Sequence, residues 1–393
     1  MPERERKKSG TNLLYSMMAE AASYDDAVIM GRGDPDFDTP EHIIAAAKEA
    51  MVQHHSDTAP PEGLPALREA IAARVERVSG VVYNPATEVV VTNGGQEALF
   101  LMVLTLIGPG DEMVVPEPNY NTYLDSTRFA GGRQIEVDTF PQQNFRADPA
   151  DVRRAVNERT KALLLVSPNN PAASVISPQD MRDLAQIACD HDLFIISDEI
   201  YDLFVYDDVV HTSAAAMPGA RERTLTLNAL SKAYSMTGWR VGWVTGPAPL
   251  MERLRELKAA ITGATSIISQ YAGIAALTGP QAPVQMFADT YVRRRRVVLD
   301  ALDEMGIEYG VPEGGQFIFA DIGFTGLDSM QFAQRVLTEQ HVLVYPGSAF
   351  SEARKQYIRM TFLQPEEKLR EGLERMKIAM EGIRADIGNG SAG

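Results

Sequence analysis

The sequence predicts an α/β protein: a large domain built on a mostly parallel sheet flanked by helices, with a smaller α+β domain after it. Three observations predict it. From about residue 85, short apolar runs of strand length alternate with longer helix-period segments, the rhythm of parallel strands joined by crossover helices. Those runs are nearly continuous in apolar residues, as strands covered on both faces must be. Beyond about residue 285, helical segments rich in Arg and Glu surround two strand-like runs, QFIFADI and HVLVYP. A chain of 393 residues is also longer than one hydrophobic core usually serves.

Element by element, a charged opening arm leads into a helix through Leu13, Leu14, Met17 and Met18. The loop GRGDPDFDTPEHI follows, with Thr39 expected as N-cap and Pro40 in the first helical position. Five runs carry the large sheet: EVVVT at 88–92, EMVV at 112–115, ALLLV at 162–166, LFIIS at 193–197 and TLTLN at 224–228. The expected division is an N-terminal arm and small-domain segment over 1–45, a large domain over 46–285 and a small domain over 286–393. The arm is expected to return to the small domain. The run Arg293 to Arg296 reads as a solvated helix face, and the tail GNGSAG as disordered.

Composition narrows the function. The formal net charge of −16 lacks the basic footprint of a nucleic-acid binder and would be repelled by an anionic membrane. The single cysteine, Cys189, rules out an internal disulfide and reads as a packing residue. The six histidines show no ligand spacing, so no metal site is expected. GRGDPD lacks the last glycine of a dinucleotide fingerprint, and no GxSxG occurs. MPERERKKSG is followed by no apolar signal core, and the longest apolar stretch, near 98–107, is too short to span a bilayer. A cytoplasmic location is expected.

In open α/β sheets ligands gather at the carboxyl ends of the strands. The residues just after the five runs are Gly94-Gly95-Gln96, Tyr120, Asn170, Asp198 with Tyr201, and Lys232. A glycine pair opening a helix offers free N–H groups to a phosphate. Arg240, eight residues beyond Lys232, can add a bidentate contact. An amine, an acid and a phosphate cradle are the parts a pyridoxal 5′-phosphate enzyme needs.

From about residue 30 onward the chain resembles the class I/II aminotransferases, the fold-type-I pyridoxal enzymes. SPNNP is similar to the family's NPxNP, SDEIY to its acidic segment, SKAYSMTGWRVG to its lysine signature and YIRMTF to its arginine segment. The resemblance implies amino transfer between an amino acid and a 2-oxo acid. Lys232 would be the Schiff-base lysine and proton carrier, and Asp198 the partner of the pyridine nitrogen. Tyr201 and Asn170 would bond the 3-hydroxyl, with Asn170 also facing substrate, and Tyr120 would stack on the ring. Gly95, Gln96 and Arg240 would hold the phosphate. Arg359 would grip the substrate α-carboxylate, and Gly33 would line its pocket. A homodimer with interfacial active sites is implied too.

The sequence departs from the family at several points. The turn after Asn170 has Ala172 and Ala173 in place of threonine and glycine. Ala229 stands where the family has Gly or Ser three residues before the lysine, leaving Ser231 as the nearby hydroxyl. Thr58 stands where many members have a tyrosine reaching the partner's phosphate. Arg32 precedes Gly33 where an aliphatic residue is usual. A buried guanidinium there would call for a substrate with a second anionic group, a dicarboxylic amino acid or a larger phosphate-bearing molecule; the alternative is a surface or interface salt bridge. The rival reaction outcomes are β- or γ-elimination, replacement, or carbon–carbon bond formation on the same fold. A pyridoxal-binding regulator is the non-enzymatic alternative. Such proteins carry a DNA-binding domain, for which the stretch before residue 30 is too short.

Overall fold

In the computed structural model, which describes residues 10–53 and 57–390, all five apolar runs become strands of one seven-stranded sheet. In chain order the strands are β1 (Val28–Ile29), β2 (Val89–Thr92), β3 (Glu112–Glu117), β4 (Arg133–Asp138), β5 (Thr160–Val166), β6 (Phe194–Asp198) and β7 (Thr224–Ala229). They continue with β8 (Gly242–Thr245), β9 (Phe317–Asp321), β10 (Val342–Leu343), β11 (Tyr345–Pro346) and β12 (Tyr357–Thr361). The large sheet has the order β2-β8-β7-β6-β5-β3-β4. β8 alone runs antiparallel to its neighbours, so the other six strands end on one edge.

The sheet sits between helices on both faces. One face packs Val90, Val115, Leu164 and Leu227 against the helices Gly95–Leu106 and Ala248–Ile261. The other packs Val114, Leu163 and Ile195 against Pro178–Asp190, and Val89 and Val91 against Pro65–Ser79 and Ile267–Thr278. Burying each such side chain contributes roughly 1.5–3 kcal/mol, so both faces of the sheet help hold it in place. Ser177 starts the helix Pro178–Asp190 by accepting from the Asp180 N–H at 3.1 Å, a bond that satisfies one orphan donor.

A three-stranded antiparallel sheet, β11-β12-β9, forms the smaller layer. Its core gathers Ile318, Ile358, Phe332 and Leu369 with Met17, Ala21, Val28 and Met30 from the N-terminal segment. β1 pairs with β10 in parallel, so the N-terminal segment does return to this layer.

Several expectations need correction. Arg294 and Arg295 are buried, not solvated: Arg294 forks onto Asp36 at 2.7 and 2.9 Å, and Arg295 reaches Asp207 at 2.8 Å. Four consecutive helical positions sweep around the whole helix, so two of them must face inward. Thr39 does not cap the helix Glu41–Val52. Pro40 takes that position without a side-chain bond, while the Thr39 hydroxyl donates to the Ser235 carbonyl at 2.7 Å. Residues 388–390 of the expected disordered tail extend the helix Glu366–Gly390. Residues 391–393 and the charged arm before residue 10 lie outside the described residues.

Candidate active site

Every site residue expected from the sequence lines a single cavity of about 580 Å³ at the strand-end edge of the large sheet. The topology explains the convergence. Gly95 and Gln96 open the helix after β2, and Tyr120 follows β3. Asn170 follows β5, Asp198 closes β6 with Tyr201 in the next turn, and Lys232 lies in the short helix Leu230–Ala233 after β7. Arg240 enters the same edge just before the reversed strand β8. The small layer supplies Arg359 from the middle of β12, and the loop after β1 supplies Arg32 and Gly33.

At the floor, Asp198 is buried. Its Oδ1 accepts from the Ile200 N–H at 3.1 Å and its Oδ2 from the Tyr123 hydroxyl at 2.7 Å. Burial outweighs these bonds and raises its pKa to about 6. Tyr123 is a site residue that sequence reasoning missed. The available signal was its place in YNTY, three residues beyond Tyr120 at the same strand end. Tyr201 is also buried, with its hydroxyl pushed well up by desolvation. Its ring meets Phe317 edge-on, with 5.5 Å between centroids.

One end of the cavity is a built cradle. The helix Gly95–Leu106 begins at Gly94 (φ 79°) with no side-chain cap, so its first N–H groups are left for a ligand. Arg240 clamps this turn: its Nη2 donates to the Asn93 carbonyl at 3.2 Å. A β-carbon on Gly94 would stand 2.5 Å from that nitrogen, and one on Gly242 would stand 2.6 Å from the Gly94 carbonyl carbon. Both positions therefore require glycine. Ser231 lines the cavity beside them, whereas Thr58 is exposed and does not.

Lys232 is half-buried, with its amine shifted down by desolvation. Nζ donates to the Gly33 carbonyl at 2.6 Å and stands 3.5 Å from Asp34 Oδ1. Asp34 is a second residue the sequence reading passed over. Its carboxyl is opposed by burial but held below the usual range by Lys232 and then Arg32.

Arg359 is 4% exposed and has no carboxylate partner within 4.0 Å among the described residues. Its Nη1 donates to Asn170 Oδ1 at 2.8 Å and its Nη2 to the Gly31 carbonyl at 2.7 Å, leaving Nε without a partner. Phe317 and Phe350 stack on it at 4.5 and 4.6 Å, and desolvation lowers its pKa to about 10. A buried cation without a counter-ion is costly until an anion arrives. Arg32 differs. Its side chain is 58% exposed and bound to Asp34 through Nε and Nη2, each at 2.7 Å. The expected buried, unpaired guanidinium is not found, and the salt-bridge reading of Arg32 holds.

The aminotransferase class I and II family model matches residues 25–376. An aspartate aminotransferase of Pyrococcus abyssi is 38% identical over 91% of this chain and 92% of its own length. The chain belongs to the class I and II aminotransferases. Aspartate aminotransferase from Thermus thermophilus, solved with maleate, superposes with a TM-score of 0.91 at 36% identity, covering 96% of this chain and all of that one. The aromatic aminotransferase of Pyrococcus horikoshii gives 0.89 at 36% identity, over 94% and 99% of the two chains.

This aminotransferase uses pyridoxal 5′-phosphate and moves an amino group between an amino acid and a 2-oxo acid. Its residues fit that cofactor. The uncapped glycine turn with Arg240 suits a phosphate, and the buried Asp198 carboxylate, opposed by desolvation, suits a protonated ring nitrogen that would pair with it. Lys232 is an amine within the same cavity. When bound, the cofactor supplies an electron sink for the bonds around the amino acid Cα.

Proposed function

We propose that Lys232 is the amine to which the cofactor aldehyde is joined, and that it carries the Cα proton once the amino donor has displaced it. The observation that carries this reading is the pairing of Lys232 with the uncompensated Arg359 in one cavity. Asp198 holds the proton on the ring nitrogen, and Tyr123 fixes the carboxylate that does so. Tyr201 and Asn170 bond the ring hydroxyl, and Tyr120 covers the ring face. Gly95, Gln96 and Arg240 take the phosphate. Arg359 binds the α-carboxylate, fixing which bond at Cα faces Lys232, and Gly33 walls the substrate pocket. Desolvation of the Lys232 amine supports its role as base, since a free amine is more easily available there.

Acidic amino acids are favoured donors. The Pyrococcus abyssi relative is named for aspartate, and the Thermus enzyme was solved with the dicarboxylate maleate. Arg32 is the cation on the pocket wall that could meet a side-chain carboxylate, by sharing itself with Asp34. We further place the enzyme in the cytoplasm as a homodimer with interfacial active sites, divided at 45/46 and 285/286. No described helix is long and apolar enough to cross a membrane.

The test is direct. Borohydride should fix the cofactor to Lys232, and single amino acids should convert it to the pyridoxamine form, aspartate and glutamate fastest. Label on another lysine would end the reading.

A further inference from the structure

We infer that Lys258 and Glu97 form a buried brace behind the phosphate cradle, in which Lys258 neutralises Glu97 so that the helix start stays attractive to a dianion. The inference rests on the cradle reading above and extends it to two positioning residues that do not touch the cofactor.

Glu97 is the third residue of the helix Gly95–Leu106. Its carboxylate turns back over the helix start, accepting from the Asn93 N–H at 2.5 Å and from Asn93 Nδ2 at 3.0 Å. It thereby closes the Asn93–Gly94 turn whose carbonyl Arg240 also holds. An acid in the first turn suits the helix dipole. The same negative charge, however, opposes a phosphate arriving on the neighbouring N–H groups.

Lys258 removes that conflict. It comes from the helix Ala248–Ile261, packed on the cradle helix, and its Nζ lies 3.0 Å from Glu97 Oε2. The Lys258 side chain is 0% exposed and that of Glu97 is 10% exposed. The Thr262 hydroxyl donates to the other Glu97 oxygen. Burial opposes charge on Glu97, yet Thr262, Asn93 and Lys258 together hold its carboxyl below the usual range. Lysine is almost never fully buried unless it is paired, and its partner here is the acid that shapes the cradle. Truncating Lys258 would leave a buried carboxylate one turn from the phosphate, in surroundings that screen poorly.

The experiment measures apoenzyme affinity for two probes, pyridoxal 5′-phosphate and pyridoxal, which lacks the phosphate. Lys258→Met is expected to weaken pyridoxal 5′-phosphate roughly two- to thirtyfold, the range of one charge beside a helix N-terminus, and to leave pyridoxal unchanged. Lys258→Met combined with Glu97→Gln should recover the affinity, because the uncompensated charge is gone. Glu97→Gln alone leaves the cation unopposed and should tighten pyridoxal 5′-phosphate, so the idea stays testable if Lys258→Met does not fold.

Equal losses for both probes, no recovery in the double variant, or weaker pyridoxal 5′-phosphate binding in Glu97→Gln would overturn the brace. Arg240→Leu separates the two readings. If it discriminates the probes while Lys258→Met does not, the brace alone is wrong. If neither discriminates, the cradle reading falls with it.

Discussion

Arg359 and Arg32 line one cavity, yet the first is 4% exposed without a carboxylate partner, while the second has a 58% exposed side chain bound to Asp34. Burial turns the same guanidinium into a different device. Arg359, pressed between Phe317 and Phe350, cannot recruit water, so an incoming carboxylate relieves a standing electrostatic cost. Arg32 already has both water and a counter-ion, so an incoming anion only replaces what it has. On the proposed reading, the fixed grip on the α-carboxylate would come from β12, and the loop after β1 would only modulate side-chain preference.

The largest effect should come from a change that spares both arginines. Lys232→Ala should still bind cofactor through the cradle and Asp198 but lose proton transfer, slowing the half-reaction by about 10²–10⁴-fold or more, as general-base removal does. Single-turnover spectra would show it. A rate within a few-fold of wild type would remove Lys232 from the chemistry.

Arg359→Leu attacks the comparison itself. kcat/KM should fall by about 2–5 kcal/mol, the usual cost of truncating a buried charge pair, and by the same factor for acidic and neutral donors. Melting of the apoenzyme should not fall, because the variant deletes an uncompensated buried cation. A destabilised apoenzyme with near-normal turnover would instead make Arg359 a structural residue.

Asp198 gives the third effect, with opposite signs in the two forms of the enzyme. Its folded pKa of about 6 lies above the ordinary 3.8, so the unfolded chain releases this proton first as pH rises. The penalty on apo stability is absent below pH 4, grows to pH 6 and stays constant above it. At 1.36 kcal/mol per unit, Asp198→Asn should make the apoenzyme about 2–3 kcal/mol more stable at pH 8 and no more stable near pH 4. With cofactor the same change should slow turnover by about 1.5–3 kcal/mol, the worth of a charged hydrogen bond. Apo melting curves that shift equally at both pH values would show that Asp198 is not held against its charge.

These contrasts also mark what the sequence reveals. The five runs such as ALLLV were legible because strands covered on both faces have no polar alternation to disguise them. The strand-end rule then delivered Lys232, Asp198 and the glycine turn together. β4, RQIEVD, was missed because it is an edge strand with only Val137 buried. β8, GWVT, was missed because four residues opened by a glycine carry little strand signal. Tyr123, Asp34 and the Lys258–Glu97 pair were illegible because each acts through a partner from 75 to 198 residues away. Burial state was the hardest property to read: Arg294 looked solvated and is buried, whereas for Arg32 the sequence left a buried substrate contact and a surface salt bridge both open, and it is exposed.

The smallest effect should belong to Arg32→Leu. A buried pair at this position would have implied a loss of several kcal/mol for acidic donors. The observed pair with Asp34 is exposed, and exposed ion pairs are worth about 0–1 kcal/mol. The leucine variant should therefore lower kcat/KM for aspartate by less than about 1 kcal/mol, with a weaker effect still on neutral donors. Removing Arg32 also frees Asp34 to face Lys232 alone, 3.5 Å away. The pH at which the apoenzyme amine becomes reactive toward an acylating probe should then rise, because an unshared carboxylate favours the ammonium form more strongly. A loss of several kcal/mol confined to acidic donors would return Arg32 to the substrate site. An unchanged reactivity profile would show that Asp34 does not reach the lysine in solution.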